Sequence, residues 1–564
     1  MTRLILAIVS MVAITAAQTA ERVFLLPDRP GIIGKVSITL EEAVAGVLAN
    51  NRDIEISRID RGIAGWSVTA ARGAYDPRIG ADTYWERSVI PIGSIIGGGP
   101  NGAISQTTAT AVPQLTGLLP LGGTYSMSLS STRLSSDNQF NTLNPQYPSA
   151  MTLTFTQPLF RNLLYDDARH HIEVARKNQA ISGAQFRQRV TEVVTQAVDA
   201  YWDLVFATRN LDVQLEAVDL ARRQVESNER MVKQGLLAPI DVTEAETQLD
   251  NFEQNAYTAQ ENLTRAENAL KALMLGDRLA PVWSKALVPE TPLNLAAPSV
   301  HVDEALSQAV AQRPEIEQVK LSRAINEADE RYYREQTKPQ VDLIATYVGN
   351  GLAGRVLPPQ PNPLTAGTDA IVARINQLSQ IEGLPPVPPI SFGSGAVPPA
   401  LVGGYGESLA TISGWNFPTT HAGVRVSLPL RNRTAEANLG ASVAQGRRID
   451  TQRTQLEQLI EADVRNTIQS MDSAKARLGA ASASRRSAEA QHESELRKFQ
   501  AGTSTVFLVL QRQTAMINAR DLEIRAQADL SKAIADYERA TAATLESHSI
   551  DIQGQAKQKA GSAP

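Results

Sequence analysis

The chain contains no cysteine, which removes disulfides, thiolate metal sites, cysteine nucleophiles and a lipid-modified N-terminal cysteine together. Aromatic residues make up only 5% of 564 positions, a poor supply for one large globular core. The composition favours extended helices that share thin apolar seams. A strong charge of either sign is also missing. The formal net charge is -5, so the chain lacks the electrostatic footprint of a nucleic-acid partner. After residue 20 no apolar run approaches the about 20 residues that a membrane-spanning helix needs. Entry into a membrane therefore falls to strands.

Motifs for chemistry are equally scarce. Ile90 to Gly102 is rich in Gly and Pro but lacks the Gly-Lys-Ser/Thr ending of a phosphate loop. His170 and His171 are adjacent, about 100° apart on a helix, which argues against a shared metal site. Acidic residues alternate with Arg and Lys at helical spacing, as on a solvated face. No nucleophile elbow or nucleotide fingerprint is present. The expectation is a non-enzyme without catalytic residues, metal or cofactor.

What is there begins with an export signal over residues 1–20. Arg3 supplies the positive end, Leu4 to Ile14 the apolar run, and Thr15, Ala16 and Ala17 the small residues, with cleavage near Ala17 or Ala20. An internal duplication follows. Leu40-Glu41-Glu42-Ala43-Val44 matches Val302-Asp303-Glu304-Ala305-Leu306, Asp53-Ile54-Glu55 matches Glu315-Ile316-Glu317, and Pro77 falls on Pro339. Gln157-Pro158-Leu159 corresponds to Leu428-Pro429-Leu430, and Lys233-Gln234-Gly235 to Gln500-Ala501-Gly502. Pro77, Pro158, Pro339 and Pro429 mark strand–helix junctions.

Each half reads as helix, strands, long helix, tight break, helix. Thr39 or Ser37 caps the first helix, expected to run to Arg72. Its second-half counterpart spans about 302–336. Long helices are predicted at about 168–233 and 435–500, each roughly 100 Å at 1.5 Å per residue. The first carries a seam of 3.5-residue period through Val190, Val194, Ala197, Tyr201, Leu204, Leu211, Leu215, Val218, Val225 and Val232. The second has a weaker, Ala-rich seam through Ile460, Val464, Met471, Ala474 and Leu478. Shorter helices at about 240–275 and 505–545 follow the breaks.

Between the helices the period changes to two. Strands are predicted at 79–88, 105–116, 122–132 and 150–160 in the first half. The second half offers 342–348 and 422–428. Their polar positions are mostly Ser and Thr, which suits a wall between lipid and water. Tyr84, Trp85, Tyr125, Phe155, Phe160, Tyr347 and Trp415 are candidates for aromatic girdles. Two to four strands per half are too few to close a barrel, so several copies must pool them. A soluble sandwich is the alternative reading of the strand pattern.

These landmarks, with Ala70-Ala-Arg-Gly-Ala-Tyr-Asp-Pro before the first strand and Gln157-Pro-Leu-Phe-Arg-Asn at the strand–helix junction, resemble the TolC family of outer membrane efflux proteins. The resemblance implies a mainly α fold with transmembrane β. Long coiled-coil helices would form a periplasmic α-barrel, joined to an outer-membrane β-barrel pooled from a homotrimer. It implies a passive exit duct of a tripartite efflux or type I secretion system in a Gram-negative outer membrane. Its partners would be a periplasmic adaptor, an inner-membrane RND, ABC or similar transporter, and outer-membrane lipid.

The implied organisation is 1–20 signal, 21–37 extension, 38–276 first repeat, 277–299 linker, 300–547 second repeat and 548–564 tail. Adaptor docking falls on the helical breaks, at Gly235, Pro239, Asp241, Gly502 and Thr505. Many family members narrow the entrance with acidic residues after the second break. Here those positions are Leu508 and Gln511, while Asp241 and Glu244 occupy the first-half counterparts, free to cap or face outward. Any constriction rests on Phe507, Leu508 or Gln511. The Pro/Gly-rich insertion 349–420, with an amphipathic piece at Asp369 to Gln380, caps the outer mouth or hangs free. The rival readings are a periplasmic coiled-coil adaptor or scaffold, and a secreted surface enzyme or adhesin.

Overall fold

The computed structural model describes residues 24–93, 99, 102–292, 298–358, 366–388 and 397–551. The predicted signal 1–20 lies outside these residues, as do parts of the segments 21–37, 90–102, 277–299, 349–420 and 548–564. The described residues form two units, one within Met1–Ile63, Ala180–Leu321 and Ile449–Pro564, the other within Ala64–Gln179 and Ser322–Arg448.

In chain order the first half comprises β1 (Lys35–Ile38), α1 (Leu40–Asn50), α2 (Arg52–Arg72), β2 (Arg78–Pro91), β3 (Ala103–Leu118), β4 (Thr124–Ser136), β5 (Leu143–Pro158), α3 (Asp167–Lys233) and α4 (Pro239–Met274). The second comprises β6 (Ala286–Pro289), α5 (Val302–Gln312), α6 (Pro314–Gln336), β7 (Gln340–Val356), α7 (Ala366–Ile381), α8 (Tyr405–Ser413), β8 (Pro418–Ser427), α9 (Arg433–Gln500), α10 (Val506–Ala540) and α11 (Thr544–Ser547). Corresponding helices agree closely in length: 11 and 11 residues for α1 and α5, 21 and 23 for α2 and α6, 67 and 68 for α3 and α9, 36 and 35 for α4 and α10. Two halves built independently would not match so well, which supports the duplication.

The opening helix of each half departs from the expectation of one continuous segment. α1 stops at Asn51, whose backbone is extended at ψ 132°. Its side-chain oxygen accepts from Asp53 N at 2.9 Å and Ile54 N at 3.2 Å, capping α2, while its amide donates to Leu273 O at 3.1 Å. Arg313 holds the same place at ψ 129°. Pro314 follows it as the first residue of α6, where a missing N–H costs nothing. At the start of α1 the cap is Thr39, in a reciprocal pair with Glu42 (3.2 and 2.9 Å). Ser37 lies in β1 instead.

In the first unit the predicted seam of α3 is the core. Val194, Ala197, Tyr201 and Leu204 are fully buried, with Val190, Val218 and Val225 close behind. Tyr201 also ties the seam to the segment before α1, its hydroxyl 3.2 Å from Ile38 O and accepting from Thr291 N at 3.1 Å. β1 pairs in parallel with β6, so the extension and the inter-repeat linker meet as strands. Neither was foreseen, because four residues are too few to display a period.

The same region holds a buried ionic cluster. Glu267 and Lys271, one turn apart on α4, are both fully buried and joined at 2.5 Å. Lys271 also donates to the carbonyls of Lys285 (2.6 Å) and Trp283 (3.2 Å). Arg29 reaches the other oxygen of Glu267 at 2.6 Å. Each charged group has a partner of opposite sign, the two cations sharing one carboxylate, and the ammonium has three acceptors, the condition under which buried ions are tolerated. Glu267→Ala should destabilise the protein by about 3–5 kcal/mol, because Lys271 is left charged without its anion. Glu267→Leu combined with Lys271→Met should restore most of the melting temperature in detergent. Equal losses in the single and double variants would contradict this account.

Candidate functional site

Among the described residues no helix is long and apolar enough to cross a membrane. Chemistry for a membrane is instead concentrated in the second unit, in one antiparallel sheet of order β2-β3-β4-β5-β7-β8. Directly paired residues share a face, so the register sorts its side chains. One row runs Ile79, Leu115, Met127, Leu153, Tyr347, Thr420 across the six strands. The adjacent row, pointing the other way, runs Arg78, Thr116, Ser126, Thr154, Thr346, His421. On the polar face hydroxyls also meet across strands, as at Thr110 and Thr132, 3.1 Å apart. The apolar side chains are not buried by the chain itself: Ile79 is 85% exposed, Val424 59% and Val426 58%.

Of the predicted girdle residues, Trp85, Tyr125, Phe155 and Tyr347 lie on the apolar face. Tyr84 does not. It pairs with Thr110 on the polar face, a position that composition alone could not separate from its neighbour Trp85. Phe160 follows the end of β5, and Trp415 precedes β8. The junction prolines sit as expected: Pro77 before β2, Pro339 before β7, Pro158 at the end of β5 and Pro429 two residues past β8.

β7 is far longer than predicted, 17 residues, so the insertion begins later than Gly349. It carries α7 over the expected amphipathic piece and an unforeseen helix, α8. The latter packs on the apolar side of β7 because that strand presents no side chain there. A Cβ on Gly351 would stand 2.2 Å from Ser408 O. Tyr147 against Tyr405 (4.8 Å) and Tyr347 against Trp415 (5.0 Å) flank the contact.

The helical breaks lie in the first unit and share one geometry. Gly235 N bonds Val232 O and Leu236 N bonds Met231 O, both at 2.9 Å, while Gly502 N bonds Phe499 O (3.0 Å) and Thr503 N bonds Lys498 O (2.9 Å). This is the paired closure of a Schellman turn, with the glycines left-handed at φ +77° and +71°. Pro239 opens α4, and Asp241 turns back to accept from Ala238 N at 3.0 Å, so its carboxylate caps the helix. Thr505 caps α10 by accepting from Leu508 N. The two breaks are brought together by Val225, Ala245, Val506 and Leu510, against which Leu237 and Phe499 pack. Fully buried Asn228 donates to Asp241 O at 3.2 Å and accepts from Gln224 at 2.8 Å. Leu236 (68%) and Ile240 (62%) remain exposed at the tip of the first hairpin. Phe507 (60%) and Leu508 (37%) are exposed at the start of α10, with Gln511 exposed one turn on and the residues between them buried.

Ionisable groups elsewhere serve structure. Asp199, on α3, has its carboxyl pushed up to about 6 by burial and by the nearby charge of Asp536, with Lys532 opposing. Its Oδ1 is buried without a hydrogen-bond partner. His170 and His171 come closer than a helical wheel suggests, edge to face at 5.4 Å, and one ligand atom from each and from Asp167 falls within 4.8 Å. One nitrogen of each is engaged, His170 Nε2 at 2.7 Å from Asp329 Oδ1 and His171 Nδ1 at 2.8 Å from Asp167 O, while His170 Nδ1 is buried without a hydrogen-bond partner.

A two-faced sheet with unburied apolar side chains, joined in one chain to duplicated long-helix hairpins, gives a mainly α fold whose β region has the chemistry of a membrane wall. Residues 101–276 match the family model described as outer membrane efflux protein. No curated protein matches the chain. Among solved structures, CusC, which undergoes transmembrane channel formation, aligns with a TM-score of 0.61 at 13% identity, covering 92% of this chain and 99% of its own. The Campylobacter jejuni CmeC outer membrane channel aligns at 0.59 and 14% identity, covering 92% and 89%. The open-state Neisseria gonorrhoeae MtrE outer membrane channel aligns at 0.56 and 15%, covering 90% and 89%. The chain therefore carries the outer membrane efflux family match in its first half and the fold of outer-membrane channels over most of its length.

Two tests follow from this geometry. No atom lies within 4 Å of a Cβ added at Gly235 or Gly502, so Gly→Val at either break should cost about 1–2 kcal/mol through backbone strain alone. Hydrogen exchange should accelerate at the altered turn and stay unchanged in the middle of α3; uniform acceleration would contradict a local role. For Asp199, a folded pKa above the unfolded value means that its cost is absent well below pH 4, grows between the unfolded value of 3.8 and the folded value of about 6, and is complete about one unit above that. Asp199→Asn should therefore raise the melting temperature clearly at pH 8 and much less at pH 4. The opposite pH order would overturn the assignment.

Proposed function

We propose that this protein is the outer-membrane channel of a tripartite efflux or type I secretion system. It would be a homotrimeric, non-enzymatic duct through which substrates pass from the periplasm or an inner-membrane pump to the exterior. The observation that carries the reading is the register of the sheet, which gathers most of its large apolar side chains on one face and most of its Ser, Thr and charged groups on the other. One face suits lipid and the other a water-filled lumen. Among the described residues neither outer strand, β2 or β8, has a second partner, and an open edge is not stable in hydrocarbon. Pooling strands from several copies resolves both problems.

The helical breaks are proposed as the docking end for a periplasmic adaptor. Gly235, Pro239, Asp241, Gly502 and Thr505 shape the tips, and Leu236 and Ile240 are the exposed apolar groups an adaptor would cover. Phe507, Leu508 and Gln511 share one exposed face of α10 and form the proposed constriction, of apolar and amide groups rather than carboxylates. Drive comes from an RND, ABC or similar inner-membrane transporter. A single-hairpin adaptor is disfavoured, since this chain has two equivalent hairpins, α3–α4 and α9–α10.

The purified protein in planar bilayers should give stable pores; persistent absence of conductance would end the reading. Phe507→Ala with Gln511→Ala should raise single-pore conductance. Leu236→Glu with Ile240→Glu should leave conductance unaltered and abolish pump-dependent export in cells. Loss of both together would place the tips in pore formation instead of docking.

A further inference from the structure

We infer that all six strands of each chain, including the hairpin β2–β3, enter the membrane wall, and that copies join through the edge of β2 on one and the edge of β8 on the next. This rests on the channel reading and specifies the wall that reading requires. With three copies, six strands from each make an eighteen-stranded barrel.

The hairpin β2–β3 is patterned as wall and not as an external appendage. Its apolar face carries Ile79, Ala81 and Trp85 on β2, paired with Leu115, Pro113 and Ala109 on β3. Its polar face carries Arg78, Asp82 and Glu86, opposite Thr116, Val112 and Thr108. Both strands exceed the roughly 9–11 residues needed to cross a bilayer at a tilt, at 14 and 16 residues. β3 is bonded along almost its whole length to β4, so the hairpin is continuous with the rest of the sheet. A hairpin standing in water on both sides would not keep Ile79 at 85% and Trp85 at 67% exposure on the same face as Met127 and Leu153.

The apolar band also drifts as a tilted wall demands. On β8 it centres on Val424, four residues to one side of Thr420. On β2 it centres near Ala81, two residues to the other side of Ile79, which stands on the same row as Thr420. A shift of about six residues over five strand-to-strand steps, with about 3.3 Å per residue and 4.8 Å between strands, corresponds to a tilt of roughly 40°. Membrane barrels tilt by about 35–45°. The drift passes through β3 and β2 without a break, which is what membership of one cylinder requires. Arg87 and Arg133 share this face but lie past Trp85 and Leu129, towards the chain reversals, where long cationic side chains reach the interface. With six alternating strands, β8 and β2 run in opposite directions, so their junction closes as an antiparallel ladder.

The absence of cysteine makes the test direct. In pore-forming protein reconstituted in bilayers, cysteines replacing Asp82 or Glu86 should be labelled by a charged, water-soluble thiol reagent, with a fall in conductance. Cysteines replacing Ala81 or Thr83 should lose that labelling and be protected by lipid. Oxidation of paired cysteines in the middle of β2 and β8 should give covalent oligomers. The inference is overturned if all four β2 positions label alike without changing conductance, or if β4 rather than β2 cross-links to β8. In either case pores persist and the channel reading survives. If the unmodified protein forms no pore at all, the channel reading fails first.

Discussion

An N–H or C=O that enters hydrocarbon must have a partner, because no water is there to replace it. That requirement governs the sheet and, through it, the molecule. Within one chain the strands satisfy each other on every side but two, and those two sides lie at opposite ends of the strand order. A single copy in lipid would expose both edges, while a ring of copies exposes none. The apolar face makes the same demand in another form. Its Ile, Val, Leu and Trp side chains are far more exposed than a soluble sandwich could sustain. Both observations argue for one solution, in which self-association and membrane insertion are a single event.

The duplication answers a different problem, that of returning the chain to the sheet. Each half leaves its strands through a long helix, reverses at a left-handed glycine and comes back through a helix about half as long. The short helices that open each half come in pairs, α1–α2 and α5–α6, and each pair is broken at one place. The two breaks use different chemistry. Asn51 caps the second segment with its own side chain, whereas Arg313 precedes a proline and holds Asp463 at 2.5 Å. Conservation of the bend with replacement of its residues indicates that the angle, and not the side chain, is what the fold needs.

Much of this was legible in the sequence, and the misses have physical causes. The α3 seam was readable because a 3.5-residue period over many turns leaves few alternatives, and Val194, Ala197 and Tyr201 are buried as read. The breaks were readable because glycine before a capping residue has a local meaning that tertiary contacts rarely alter. The helix bends were missed even though Pro314 advertised one of them; Asn51 is compatible with a helix interior until Leu273 is there to accept its amide. The β1–β6 pairing joins residues about 250 apart through four-residue strands, a non-local contact without periodicity. Tyr84 was misplaced since adjacent aromatic residues cannot both face lipid in a strand, and only the register to Thr110 decides between them. α8 was invisible because its place depends on bare backbone at Gly351, a property of the surface beneath it.

The two long helices match in length to within one residue but not in chemistry, and the difference bears on how the copies meet. The α3 seam is built from Val, Leu and Tyr and is buried by the chain's own helices, with α1, α4 and the β1–β6 pair around it. The α9 seam is buried at Ile460, Val464, Met471 and Ala474; beyond that point the helix turns to Ala, Ser and Arg and is held to α10 mainly by polar pairs, Ser482 and Arg485 with Glu523 and Glu489 with Arg520. Those pairs hold the last third to α10 with little apolar area behind them, where propensity alone would leave a marginal helix. Small side chains allow another backbone to approach closely, and Arg485, Arg486 and Arg497 supply charge at its margins. The outward face of that third, turned away from α10, has room for a neighbouring helix, just as the edges of the sheet ask for a neighbouring strand. One assembly can meet both needs only if the same copies that complete the wall also lie alongside the helices.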